Sequence, residues 1–159
     1  MKRTLISSIV AVLASTVLLG LVYPLAVTGI VQVIPTREVV LAEATHVGDA
    51  RYFQPRPSQT DYSADATAFS NRGPNSSSAK YFYLEQIAAY RAMNDGAEPP
   101  MDAVTTSASG VDPDISHENA VIQARRIARV RSLPEAEVLA LVGDDGHVNT
   151  TKLNEALDR

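Results

Sequence analysis

The chain has no cysteine, so no disulfide staples it, no thiolate redox or metal site exists, and no thiol is there to carry a lipid anchor. Its stability has to come from packing. Charge is missing near the start: from Leu5 to Ile34 there is no Asp, Glu, Lys or Arg. A surplus of positive charge is missing from the remainder. With Lys2 and Arg3 set aside, 12 basic residues face 18 acidic ones, about −6, which argues against nucleic acid as a partner. No Gly-rich phosphate cradle ending in Lys and Ser or Thr occurs, so autonomous nucleotide hydrolysis has no support.

What stands in place of charge is an apolar run that can cross a membrane. About 30 residues at about 1.5 Å rise make a helix of roughly 45 Å, against a hydrocarbon core of roughly 30 Å. Its 17 Leu, Ile and Val residues, at roughly −0.3 to −0.6 kcal/mol each, favour insertion by roughly 5 to 10 kcal/mol. Tyr23 prefers the headgroup layer and Pro24 cannot donate to the Gly20 carbonyl, so the expected span is Leu5 to about Tyr23, with an apolar turn or shallow helix after it. The expected division is a cytoplasmic N-terminus over 1–4, a membrane-spanning and interfacial segment over 5–34, and an extracytoplasmic domain over 35–159. Lys2 and Arg3 set that orientation, because Arg37 is followed at once by Glu38. A cleaved signal peptide is the rival reading, since Ala42-Glu43-Ala44 imitates a processing site; the apolar run is about twice a typical signal core. Ser7, Ala11 and Ser15 form a stripe of small side chains at four-residue spacing. Such a stripe lets a partner helix approach closely, although small residues are common in any membrane helix.

The remaining residues suffice for one small domain, and the expected class is α+β. Arg37 to Ser78 reads as loops with β-prone points at Val39 to Leu41 and Tyr52 to Phe53. Gln54-Pro55-Arg56-Pro57-Ser58 is extended, because each proline biases its predecessor. A helix is expected from Ala79 to Asn94, capped by Ser77 or Ser78 and stopped by Gly96, with Ala79, Phe82, Tyr83, Ile87, Tyr90 and Met93 as its apolar stripe and its aromatics in the core. Met101 to Thr106 reads as a buried strand. A helix from His117 to Val130 has Ser116 as N-cap and Ala120, Val121, Ala124, Ile127 and Ala128 as its inner stripe. This leaves Arg125, Arg126 and Arg129 grouped, and acidic residues are expected to offset them. Ser132 and Glu135 have capping-box spacing before a helix to Val142, Asp144-Asp145-Gly146 is a turn, and a last helix runs from Thr150 to Asp158.

Enzyme chemistry finds little footing. Ser107-Ala108-Ser109-Gly110 resembles a nucleophile elbow, but glycine is missing at 107, and nothing places His46, His117 or His147 beside Ser109. Asp144, Asp145 and His147 lack the spacing of a calcium loop or a zinc pair, so a solvated turn is expected and no metal. Asn75-Ser76-Ser77 and Asn149-Thr150-Thr151 fit the short glycosylation pattern.

Several blocks carry a resemblance. TTSASGVDPDIS from Thr105 to Ser116 and QARRIARVRSL from Gln123 to Leu133 resemble the C subunit family of the bacterial Kdp potassium-transporting ATPase. RYFQPRPS from Arg51, Asp61-Tyr62, SNRGPN from Ser70, Val22-Tyr23-Pro24-Leu25 and VNTTKLNEALD from Val148 are similar to that family in the same order. The chain departs from the pattern by looking short between Pro35 and Asp49 and between Val142 and Val148. Pro55 stands where glycine is favoured, and Ala68-Phe69 replace a glycine pair, where a left-handed backbone would be costly.

The resemblance implies a subunit role rather than a reaction. The family's channel-like A subunit carries potassium and its P-type B subunit hydrolyses ATP, so the C subunit is expected to hold no catalytic residue and no cofactor of its own. ATP and potassium are handled by the complex, with the small F subunit as a further partner. Assembly support is the role favoured, and a catalytic-chaperone role raising ATP affinity in the B subunit is the family's proposed alternative. An independent membrane-anchored binding module or sensor is a different reading. The expected partner contacts are Arg56, Ser109, Gly110, Asp112, Gln123, Arg126 and Arg131, with Ser7, Ala11 and Ser15 for membrane helix packing. Charge reversal at Arg126 is expected to reduce complex yield more than domain stability.

Overall fold

The computed structural model describes residues 2–34 and 40–159; Arg37, Glu38 and Val39 lie outside the described residues, and with them part of the first β-prone point. The chain divides into two units, 1–39 and 40–159.

The first unit is one apolar helix over Lys2–Val33, and none of its described residues is buried within the chain. It is α1 (Lys2–Val17), a π-turn (Leu18–Val22) and α2 (Tyr23–Val33). The expected stop at Pro24 does not occur. The Tyr23 N–H reaches back to the Leu18 carbonyl, five residues away, and this widened turn accommodates the residue that has no N–H and would crowd an ordinary turn. The hydroxyls of Ser8, Thr16 and Thr28 donate to the carbonyls of Thr4, Val12 and Pro24 at 2.8–2.9 Å. These three polar side chains inside the apolar span are thereby satisfied.

The second unit is α+β. Its elements are α3 (Ser77–Met93), α4 (Met101–Val104), β1 (Asp114–Ser116), α5 (His117–Arg131), α6 (Glu135–Val142), β2 (His147–Asn149) and α7 (Thr150–Leu157). Strands β1 and β2 pair antiparallel, with Ile115 opposite Val148. Each strand runs straight into a helix: Ser116 caps α5 by accepting from the Asn119 N–H, and Asn149 caps α7 by accepting from the Lys152 N–H. Phe53, Ile115, Ala120, Ala124, Ile127, Val138, Val142, Val148 and Leu153 form the core. The alanines of α5 let α6 pack closely, and Ala120, Ala124, Ile127 and Ala128 of its expected stripe are buried, with Val121 against the edge.

Four expectations about this unit are corrected. Met101–Val104 is a helical turn: Pro100 supplies its extended entry, and four residues are too few for periodicity to separate the two states. Ser132 does not open a capping box. It closes α5 in the left-handed conformation, φ 57°, and the Leu133 N–H bonds the Ala128 carbonyl at 2.8 Å. Helix α3 starts one cap earlier, at Ser76, and of its expected core stripe only Ala79 is buried. Tyr83 is 38 % exposed and Tyr81 71 %. Tyr52 and Phe53 form no strand; Phe53 enters the core from a loop.

Candidate interaction site

The expected contact residues fall into three clusters, each an arginine holding loops in place. In the first, Arg56 meets Asp112 at 3.3 Å and also reaches Thr105 and the Thr106 carbonyl. The loop carrying Ser109 and Gly110 docks on the Pro57–Thr60 stretch. Ser58 Oγ donates to the Gly110 carbonyl at 2.7 Å, the Ser107 N–H bonds the Pro57 carbonyl, and the Gly110 N–H bonds Ser107 Oγ. Gly110 has φ +81°, and a Cβ there would lie 2.4 Å from Thr60 Oγ1, so both conformation and space require glycine. Ser109 Oγ accepts from the Val111 N–H, a local turn bond. Tyr62 Oη donates to the Arg56 carbonyl at 2.9 Å, and burial with the nearby Asp61 charge pushes its phenol up to about 12.

The second cluster is internal. Gln123 and Arg126 are each 1 % exposed, so both are engaged within the domain. Loop 50–54 covers them, and a helical stripe cannot reveal a loop contributed from elsewhere in the chain. The Gln54 backbone N–H donates to Gln123 Oε1 at 2.7 Å, and Gln123 Nε2 returns a bond to the Gln54 carbonyl at 3.1 Å. Arg126 donates to the carbonyls of Ala50 and Tyr52 and to the side-chain oxygens of Asn94 and Gln123. Burial lowers its guanidinium to about 10, still protonated at neutral pH. The network continues through Asn119, which accepts from Tyr90 Oη at 2.9 Å and from Gln123 Nε2 at 2.9 Å. Asn119 in turn donates to Asp102 at 3.0 Å. Asp102 also accepts from the Ser116 N–H and hydroxyl. Burial pushes its carboxyl up, but those bonds outweigh burial and hold it below the usual range. Burial also raises the Tyr90 phenol.

A cleft of about 210 Å³ opens above this network, walled by Pro55, Pro57, Tyr62, Gln86, Tyr90 and Met93. Tyr62, Asn94, Asp102 and Asn119 are the participants that spacing alone does not single out; their positions follow from contacts between segments far apart in the chain.

In the third cluster Arg131 donates to the Arg51 and Leu157 carbonyls and to Asp158 at 3.0 Å. Its guanidinium lies 4.5 Å from the Tyr52 ring centre, and Tyr52 stacks on His46 at 3.7 Å. The Arg131 bond holds the Asp158 carboxyl below its ordinary value. Arg131 thus fastens the chain's last turn to the 51–52 loop. The expected offset of the other α5 arginines is present: Arg125 pairs with Glu135 at 3.4 Å and Arg129 with Asp95.

In the membrane-type helix, Ser7, Ala11 and Ser15 are all exposed, and Ala11 and Ser15 share a shallow groove with Val12, Thr16 and Leu19. No left-handed residue occurs at Pro55, Ala68 or Phe69, so the missing glycines impose no strain there. Among the described residues no group of three His, Asp or Glu side chains is placed to hold a metal, and no histidine is hydrogen-bonded to Ser109.

Fold and clusters together define a class: a chain with one long apolar helix and a small α+β domain whose charged groups lock loops to helices. The particular family follows from comparison. The family model described as "KdpC: K+-transporting ATPase, c chain" matches residues 5–159, and the chain belongs to that family. It is 44 % identical over 154 residues to a "Potassium-transporting ATPase KdpC subunit" of Cereibacter sphaeroides (strain ATCC 17029), covering 89 % of this chain and 82 % of the relative. It is 36 % identical to the protein of the same description in Mycobacterium tuberculosis (strain H37Rv), and that match covers the whole of both chains.

Proposed function

We propose that the chain is the non-catalytic C subunit of a high-affinity, ATP-driven potassium uptake complex, where it assembles or stabilises the channel-like A subunit and the P-type B subunit. The observation that carries this reading is the family match over residues 5–159. The long apolar helix supports it, because a chain anchored by one span and carrying exposed small side chains at Ser7, Ala11 and Ser15 is suited to packing against larger membrane subunits. The small F subunit is a further candidate neighbour. ATP and potassium belong to the complex and neither is a resident group of this chain.

The N-terminus lies in the cytoplasm and the domain outside the cell membrane, on the strength of Lys2 and Arg3 before the span. That topology favours an assembly role at the external mouth of the channel subunit over a direct effect on cytoplasmic ATP. Deleting the chain from its native cell tests the role: growth with scarce potassium is lost, growth with abundant potassium is kept, and the A and B subunits no longer co-migrate. Intact A–B assembly without the chain would refute the assembly role. A fall only in the ATP affinity of that intact assembly would establish the catalytic-chaperone alternative instead.

A further inference from the structure

Six arginines of the domain have an acid beside them, and the most buried arginine does not. Arg51, Arg56, Arg91, Arg125, Arg129 and Arg131 each have a carboxylate within ion-pair distance. Arg126, 1 % exposed, hydrogen-bonds only to neutral oxygens. Neutral acceptors satisfy its N–H groups but do not cancel its charge, and buried charges are as a rule paired. Among the described residues Arg126 is also the only charged one lining the 210 Å³ cleft. The cleft is about seven water volumes, room for one short side chain and some solvent. Its walls are Pro55, Pro57 and Met93 on the apolar side and Gln86 and Tyr62 on the polar side.

We propose that this cleft receives a carboxylate, an Asp or Glu side chain on a loop of a partner subunit, which enters between the Pro55–Pro57 stretch and α3 and sets its charge against Arg126. The proposal rests on the subunit reading and names its contact. Charge complementarity carries it: the domain beyond the helix has an excess of acid of about −6, which disfavours an acidic loop on most of its surface, while the cleft's one ionised lining group among the described residues is a cation. The proline-framed wall is held by the Arg56 and Gln123 contacts described above, so the receptor is formed before the partner arrives.

Gln86 lines the cleft from α3 and is partly buried, outside the core cluster, so it can be changed without opening the core. In the full chain, purified from native membranes in mild detergent, Gln86→Glu places a like charge in the path of the entering acid. It is expected to lower recovery of the partner subunits by at least about tenfold, while Ala88→Glu, the same charge added on an exposed α3 position that does not line the cleft, leaves recovery unchanged and both variants leave the thermal midpoint unchanged. As a second measurement, Gln86→Cys gives the cysteine-free chain a single thiol, which is loaded with benzophenone maleimide and photolysed in the assembled complex. The expected adduct is a partner-subunit peptide with Asp or Glu beside the linked position. Full recovery with Gln86→Glu, an adduct on a peptide lacking acid, an adduct on lipid, or protection of the thiol by added ATP would each overturn the proposal. If the unsubstituted chain recovers no partner subunit, the subunit reading fails and the proposal with it. If it does and Gln86→Glu does as well, the proposal alone fails.

Discussion

Replacing Arg126 by methionine removes a guanidinium that bridges α5, the residue after α3 and the 50–52 loop. Four acceptors lose a donor: the carbonyls of Ala50 and Tyr52, Asn94 Oδ1 and Gln123 Oε1. At about 1–3 kcal/mol for each buried polar group left unsatisfied, the gross loss is about 4–12 kcal/mol. Against it stands the relief of no longer burying a charge, several kcal/mol by itself, and some recovered apolar packing from methionine. Gln123 Oε1 keeps its bond from the Gln54 N–H, which trims the loss further. The expected net destabilisation is about 3 kcal/mol, and at about 3–5 °C per kcal/mol for a domain of this size the melting midpoint falls by about 10–15 °C. The assay is thermal unfolding of the full chain in detergent followed by near-ultraviolet circular dichroism, where tyrosine reports the domain and not merely helix content. Arg126→Lys keeps the charge and reaches fewer of these acceptors, so it falls between the two. Charge reversal to glutamate is the most damaging, because a carboxylate would face the Ala50 and Tyr52 carbonyls. That reverses the expectation drawn from sequence, in which charge reversal chiefly affects complex yield. A loss below about 1 kcal/mol for Arg126→Met would refute this reasoning and mean that loop 50–54 is held by other contacts.

Gly110→Ala is expected to cost about 2–4 kcal/mol from left-handed strain and the contact with Thr60. Adding Thr60→Ala should return part of that loss, which chemical denaturation of both variants measures; no recovery would place the whole cost in the backbone. Asp102 has a folded pKa below its ordinary 3.8, so its contribution is complete above that value and is lost as pH falls through the folded value. Acid unfolding profiles should accordingly flatten in Asp102→Asn, and an unchanged acid slope would assign the effect to other carboxylates. Because the chain has no thiol, Asp145→Cys in the exposed turn supplies a single topology probe. Labelling of intact spheroplasts by an impermeant maleimide is expected, whereas labelling only after lysis would reverse the orientation.

Much of the fold was legible because it is local. Ser116 before a helical stripe, the stop near Gly96, where the Gly96 N–H bonds the Arg91 carbonyl at 2.8 Å, and the turn at Asp144-Asp145-Gly146 all depend on neighbours in sequence. The apolar span was legible by length, but its course past Pro24 was not, since a widened turn is a structural answer that composition does not announce. The strands Asp114–Ser116 and His147–Asn149 are three residues each, too short to show a period of two. They exist because two extended helix entries pair with one another. The candidate site divides in the same way. Arg56, Gly110 and Asp112 lie in blocks that the family resemblance marks, and the structure brings them together. Gln123 and Arg126 lie in such a block too, yet their neighbours Asn94, Asp102 and Tyr90 arrive from α3, α4 and the turn between them. Only the folded domain shows that an arginine on the flank of a helical stripe is the largest of its fully buried side chains.

The central claim is membership of a potassium-transporting complex, and the most direct test is recovery of the C-terminally tagged full chain in mild detergent from native membranes grown with scarce potassium, followed by mass spectrometry. The account predicts that a P-type ATPase subunit and a channel-like potassium subunit co-purify in fixed proportion to it. Recovery of the chain alone, folded and without either subunit, would contradict the account and leave an independent membrane-anchored binding module in its place.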